Sequence, residues 1–65
     1  MKSYSSSEVI ALLKAAGWYH IRTRGDHWQF RHPTKKGTTT VQHPKKDLTV
    51  RDLKSIEQQS GLKFR

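Results

Sequence analysis

The sequence contains no cysteine, which removes disulfide staples, thiolate nucleophiles and the common structural zinc sites together. A reducing cytoplasm is the compartment this fits. Acidic residues are nearly as scarce, Asp and Glu totalling 5 against 13 Lys and Arg. Two of the five, Glu8 and Asp52, stand three residues after a Ser or Thr where a helix is expected. Little is left for a paired-carboxylate mechanism or a divalent-metal nuclease site. No apolar run is long enough for a secretory signal or a membrane span, because Lys2, Glu8, Lys14 and His20 interrupt the N-terminal stretch. Apolar material is limited too. A chain of 65 residues that is 32% hydrophobic holds one domain, 1–65, with a thin two-layer core and a stability on the order of 5 kcal/mol. That argues against a large enclosed catalytic pocket. What the chain has in excess is positive charge, a net +8, which attracts polyanions before any specific contact forms. Nucleic acid or a strongly acidic protein is the partner this implies.

Local patterns give an element order. Ser5 to Glu8 is a capping box, with Tyr4 set against Val9 as a hydrophobic staple. Val9, Leu12, Leu13 and Ala16 follow at helical spacing with Ile10 on the flank, and Gly17 ends the helix as a left-handed cap. Residues 18–24 turn aromatic and β-branched. Alternation there sets Tyr19, Ile21 and Thr23 on one face and Trp18, His20 and Arg22 on the other. Gly25-Asp26 makes a tight turn into a second strand over 27–32, with Trp28 and Phe30 facing inward and His27, Gln29 and Arg31 facing out. After a basic turn at Pro33 to Gly37, residues 38–43 form a third strand that Pro44 stops. Thr49 and Asp52 repeat the capping signature with Leu48 stapled to Leu53. Leu53 and Ile56 face the core, Gly61 caps the end, and Lys63-Phe64-Arg65 is a short tail. The predicted fold is α+β, a two-layer α-β-β-β-α arrangement in which both helices cover one face of a three-stranded antiparallel sheet.

Four histidines invite a metal reading, and the spacing does not support it. His20 and His27 lie on neighbouring strands, His27 and His32 point to opposite faces, and no Cys completes a set. Neither a metal nor any other cofactor is expected. Acyl-transfer chemistry is disfavoured as well, because the serines cluster at a helix cap where backbone amides occupy their hydroxyls. RNA cleavage asks for less. The ribose 2′-hydroxyl is its own nucleophile, so one base that titrates near neutrality and a few cations suffice. His27 follows a tight turn, stands on the open face, and has Arg22 as its expected neighbour across the hairpin. From the residues alone, an exposed histidine that is merely solvated remains the more common case.

The segments Arg22-Thr23-Arg24-Gly25-Asp26-His27-Trp28-Gln29-Phe30-Arg31-His32-Pro33 and Thr40-Val41-Gln42-His43-Pro44 resemble the HicA family of toxins, the mRNA interferases of HicA-HicB toxin-antitoxin systems. The likeness extends along nearly the whole chain. It takes in Gly17-Trp18 after the first helix, the Gly-x-His element, a basic turn, a Val-x-His stretch, and a second helix carrying Leu53, Ile56, Gly61 and Leu62. It implies a fold like that of a double-stranded-RNA-binding domain, the same element order derived above. It also implies a small cytoplasmic toxin that cuts RNA and is neutralised by a cognate HicB antitoxin, an acidic protein. The family's catalytic histidine matches His27. Two positions depart from the family pattern: Asp26 stands where Ser is usual, and Gln42 where Pro is frequent.

The leading expectation is therefore a metal-independent endoribonuclease with His27 as general base or acid. Arg22 and Arg24 and the loop lysines Lys35, Lys36, Lys45 and Lys46 would hold RNA phosphate. Two rivals stay open: a non-catalytic RNA-binding module of the same fold, and an interaction protein whose cationic face serves an acidic partner. Trp28 and Phe30 are read as core residues in preference to base-stacking platforms, Trp18 is left open, and His20, His32 and His43 are read as surface or edge residues with no assigned chemistry.

Overall fold

The computed structural model describes residues 3–64. Its elements are α1 (Ser6–Ala15), β1 (Tyr19–Arg24), β2 (His27–Arg31), β3 (Thr39–Gln42) and α2 (Val50–Ser60), the order expected from the sequence. Both helices begin at complete capping boxes. Ser5 Oγ accepts the Glu8 amide at 3.1 Å while the Ser5 amide donates to Glu8 Oε1 at 2.9 Å. In α2, Thr49 Oγ1 accepts the Asp52 amide at 3.0 Å and the Thr49 amide donates to Asp52 Oδ2 at 2.9 Å. Each box satisfies amides that the first helical turn would otherwise leave without partners. After α1, Gly17 adopts φ +98° and the chain turns sharply. The Trp18 amide bonds back to the Leu13 carbonyl at 2.9 Å, and the indole enters the core at 2% exposure. Trp18 is thereby settled as a packing residue.

The three strands form one antiparallel sheet in the order β1-β2-β3. One core cluster joins Val9, Ile10 and Leu13 of α1 and Leu53 and Ile56 of α2 to Phe30 and Val41 on the covered face of the sheet. At its margin the Gln59 side chain of α2 accepts the Thr40 amide at 2.9 Å, which occupies a free donor on the β3 edge and blunts it against pairing with another chain.

Three expectations about faces change. The β1–β2 register shifts between His20 and Arg22, so one residue, Ile21, is inserted as a bulge and the alternation inverts after it. His20 and Thr23 therefore share the covered side, joined by a 2.7 Å hydrogen bond, while Arg22 and Arg24 turn to the open side. Arg24, not Arg22, is the partner of His27 across the hairpin. In α1 the stripe is Val9, Ile10 and Leu13, and Leu12 is 44% exposed, because the helix presents a narrow edge to a small core. At the C-terminus, Phe64 belongs to the core at 5% exposure. Its ring lies 5.1 Å from that of Tyr4 and its amide donates to Glu57 Oε2 at 2.7 Å. The tail reading holds for Lys63 alone, since Arg65 lies outside the described residues.

Candidate functional site

Cross-strand partners share a face of a sheet, so the register defines what the open face displays. Arg24, His27 and Gln42 form the row at the hairpin end, Arg22, Gln29 and Thr40 the next, and Tyr19 and Arg31 the last. Period-two alternation in β2 and the bulge in β1 together gather three arginines and one imidazole on this surface. The His27 side chain is 60% exposed. It lies at the mouth of a groove of about 170 Å³ between the sheet and α2, with Thr40 and Gln42 on one side, Ser55 and Gln59 on the other, and buried Ile56 beneath.

Asp26 stands beside this ring. Its Oδ1 is 3.7 Å from His27 Nδ1, and its Oδ2 accepts the Gln42 side-chain amide at 2.8 Å. The Gln42 bond is the main reason the Asp26 carboxyl lies below its ordinary value; its own backbone amide and the nearby charges of His27 and Lys45 act the same way against a desolvation cost. Lys45 continues the chain of contacts. Its ammonium donates to Asp52 Oδ2 at 2.8 Å and reaches Gln42 Oε1 at 3.5 Å. The Asp52 carboxyl is likewise depressed, first by Lys45 and then by the Thr49 amide.

The four loop lysines consequently differ. Lys45 is half-buried and committed to Asp52. Lys35 donates to the Ser60 carbonyl at 3.3 Å, where a cation also complements the C-terminal end of the α2 dipole. Lys36 and Lys46 are exposed loop cations, as Arg22 and Arg24 are on the sheet. The other histidines carry structure. His32 Nε2 donates to the Ala16 carbonyl at 3.0 Å, and its Nδ1 accepts the Thr34 and Lys35 amides at 3.1 and 3.3 Å. The acceptor role of Nδ1 fixes the proton on Nε2. The His43 ring meets Trp28 edge-on at 4.6 Å and His20 stacks on Trp28 at 4.5 Å. Trp28 is half-buried, unlike Phe30.

His43 Nδ1 also lies 2.6 Å from Ser6 Oγ, a pairing that resembles a nucleophile and its base. Ser6 is 1% exposed and its hydroxyl already accepts the Lys45 amide at 2.8 Å, so it clamps α1 to the β3–α2 loop and no substrate reaches it. Among the described residues, no group of three or more His, Cys, Asp or Glu side chains is arranged to hold a metal ion, and no helix is long and apolar enough to cross a membrane.

Sequence reasoning placed His27, Gln29 and Arg31 together on the open face, as the register does, but it set Arg22 beside His27 where Arg24 stands, and it missed Gln42, Ser55 and Gln59 as neighbours of His27. The shared face was legible in the alternation of β2. Gln42 depends on how β3 pairs with β2, and Ser55 and Gln59 on how α2 seats against β3, which no local pattern records.

Compared with known proteins, the chain matches no curated protein. Against family models, residues 6–62 match the one described as the HicA toxin of bacterial toxin-antitoxin, an interval that runs from the first residue of α1 to just past the cap of α2 and contains every element of the fold. The chain belongs to the family of HicA toxins of bacterial toxin-antitoxin systems.

Proposed function

We propose that this toxin is an endoribonuclease that cleaves mRNA without a metal ion, so halting translation, and that its 65 residues work as one cytoplasmic domain. The observation that carries the reading is the exposed imidazole of His27 on an arginine-bearing sheet face. The 2′-hydroxyl attacks the adjacent phosphorus while His27 accepts its proton. The bond from phosphorus to the 5′-oxygen breaks, that oxygen is protonated, and a 2′,3′-cyclic phosphate remains on the upstream fragment. Arg24 beside the ring and Arg22 in the next row of the same face offset the charge of the phosphorane. Lys36 and Lys46 extend phosphate contact into the loops, and Lys35 and Lys45 contribute through the field they add near α2. A HicB antitoxin, acidic in charge, neutralises the toxin by covering this face, where +8 of net charge favours association with an acidic surface.

The test is incubation of purified protein with single-stranded RNA in chelator, beside His27→Ala. The expected result is cyclic-phosphate ends from the parent protein and a loss of about 10²–10⁴-fold in rate for the variant, the span of general acid–base catalysis. Equal cutting by both proteins, or cutting only after a divalent metal is added, overturns the mechanism. Intact RNA bound tightly and in a salt-sensitive way favours the non-catalytic binding module instead.

A further inference from the structure

The mechanism above leaves the Asp26–Gln42 contact unused, and that contact is built in an unexpected place. Asp26 occupies an exposed turn, its side chain 51% accessible, where a carboxylate ordinarily rotates freely and contributes little to any neighbour. Here it is held from two directions. The Asp26 carbonyl accepts the His43 amide at 2.7 Å, which fixes the backbone of the turn. The Gln42 side chain fixes the carboxylate through Oδ2 at 2.8 Å, and Gln42 is itself steadied through Oε1 by Lys45 and, behind it, Asp52. Gln42 is the cross-strand partner of His27, so the brace and the imidazole stand on the same face. The oxygen left over, Oδ1, is the one directed at Nδ1 of the ring, 3.7 Å away.

We propose that Asp26, braced by Gln42, is a positioning residue that keeps the proton of neutral His27 on Nδ1 and so presents Nε2, with its lone pair free, to the ribose hydroxyl. The proposal rests on the assignment of His27 as the general base. A neutral imidazole in water prefers the opposite tautomer, with the proton on Nε2, which cannot accept a proton there. A fixed carboxylate on the Nδ1 side reverses that preference. The separation of 3.7 Å is longer than a hydrogen bond, and the positioning role requires it to shorten when substrate is bound. Catalytic hydrogen bonds of this kind commonly tighten only with substrate in place. When Nε2 takes the 2′-hydroxyl proton, the resulting imidazolium lies between the Asp26 carboxylate and the phosphorane. The proton then leaves from Nε2 to the departing oxygen or to water, and Nδ1 keeps its own throughout. The charged groups near the ring are Asp26 from the turn, Arg24 from β1, and Lys45 and Asp52 from the α2 side of the groove. Of these, Asp26 is the group the structure pairs directly with Nδ1.

Two measurements test this. The first is the ¹⁵N spectrum of the His27 ring in the free protein at about pH 8.5, above the ordinary imidazole range. The Nδ1–H tautomer is expected to predominate in the parent protein and to give way to Nε2–H in Asp26→Asn and, in part, in Gln42→Ala. The second is RNA cleavage by the same variants. A positioning role lowers kcat about tenfold in Asp26→Asn with KM little changed, a smaller loss following for Gln42→Ala and partial rescue for Asp26→Glu. A plain surface charge does the opposite: removing a negative group near a polyanion tightens RNA binding and leaves kcat alone. A parent ring already in the Nε2–H form, or an Asp26→Asn variant with unchanged tautomer and kcat, overturns the proposal. Because the tautomer is read without RNA, its outcome is separate from that of His27→Ala. A fully active His27→Ala protein removes the base assignment, whereas an inactive one with an Nε2–H ring in the parent removes only the positioning role.

Discussion

Replacing Gly17 with alanine tests how the core and the sheet are joined. Gly17 sits at φ +98°, where an L side chain costs about 1–2 kcal/mol. A Cβ there also falls 2.8 Å from His32 Nε2, closer than such atoms approach. The collision would be cheap if the ring could swing aside, but three hydrogen bonds hold it: Nε2 to the Ala16 carbonyl, and the Thr34 and Lys35 amides to Nδ1. Its other neighbour is the buried Trp18, ring centroids 5.3 Å apart. Forcing a fixed group out of a packed site costs about 1–3 kcal/mol, so the total for Gly17→Ala is about 3 kcal/mol, more than half the stability such a small domain has. At about 4–8 °C per kcal/mol for this chain length, the melting temperature should fall by roughly 12–24 °C.

Two companion variants separate the contributions. Gly25 has φ +58° and open space where a Cβ would stand, with no atom within 4 Å, so Gly25→Ala carries the conformational cost alone, about 1–2 kcal/mol. In a His32→Ala background the collision disappears, and Gly17→Ala should there cost about as much as Gly25→Ala. Urea unfolding of these proteins closes the cycle. The reasoning fails if Gly17→Ala costs less than about 1 kcal/mol, or if its cost is the same with and without the His32 ring.

Thr39 is fully buried and its hydroxyl has no hydrogen-bond partner among the described residues, so Thr39→Val removes an uncompensated polar group at nearly constant shape and should raise stability by about 1 kcal/mol in urea titrations. Asp52 has its carboxyl depressed by Lys45 and the Thr49 amide. A lowered folded-state value means that the unfolded chain takes up protons first, so this contribution is complete above the ordinary carboxylate range and is lost as pH falls below about 5. Asp52→Asn should therefore flatten the acid limb of stability against pH, and an unchanged limb would refute the assignment. The loop lysines should part company in binding. Lys46→Ala is expected to weaken binding to single-stranded RNA and reduce the salt slope by about 0.7, one phosphate contact. Lys45→Ala should instead lower the thermal midpoint by releasing Asp52, with little change in slope.

Helix starts were legible in this chain because a capping box is local: Ser5 with Glu8 and Thr49 with Asp52 lie three residues apart, and their geometry needs nothing from the rest of the protein. Phe64 was illegible for the converse reason. It follows Gly61 in a stretch that ends all helical periodicity, and its place is made by distant partners, the Tyr4 ring from the other end of the chain and the core it joins. The same division separates His27 from its surroundings. Turn chemistry at Gly25-Asp26 and alternation along β2 sufficed to put the imidazole on the open face. The Gln42 brace and the groove wall of Ser55 and Gln59 come from residues at least fifteen positions away, brought in by strand pairing and by the seat of α2.

The bulge at Ile21 shows how much of the layout of the open face rests on one unpaired residue. With strict alternation from Trp18, Arg22 would share the face of His20, and Arg24 would as well, leaving His27 on a sheet surface without arginine from β1. The inserted residue reverses the parity of everything after it. It sends Arg22 and Arg24 to the side of His27 and keeps His20 where its ring can stack on Trp28. A single slip thus serves two needs that period-two geometry sets against each other: an aromatic row at the hairpin end of the covered face and a cationic row around the imidazole on the other. Deleting Ile21 should restore the parity, turn both arginines away from His27, and expose the conflict as a joint loss of RNA binding and of the His20–Trp28 stack. The stack is read by tryptophan fluorescence. Retention of both properties in a folded deletion variant would mean that the register is set elsewhere, by the turn or by β3.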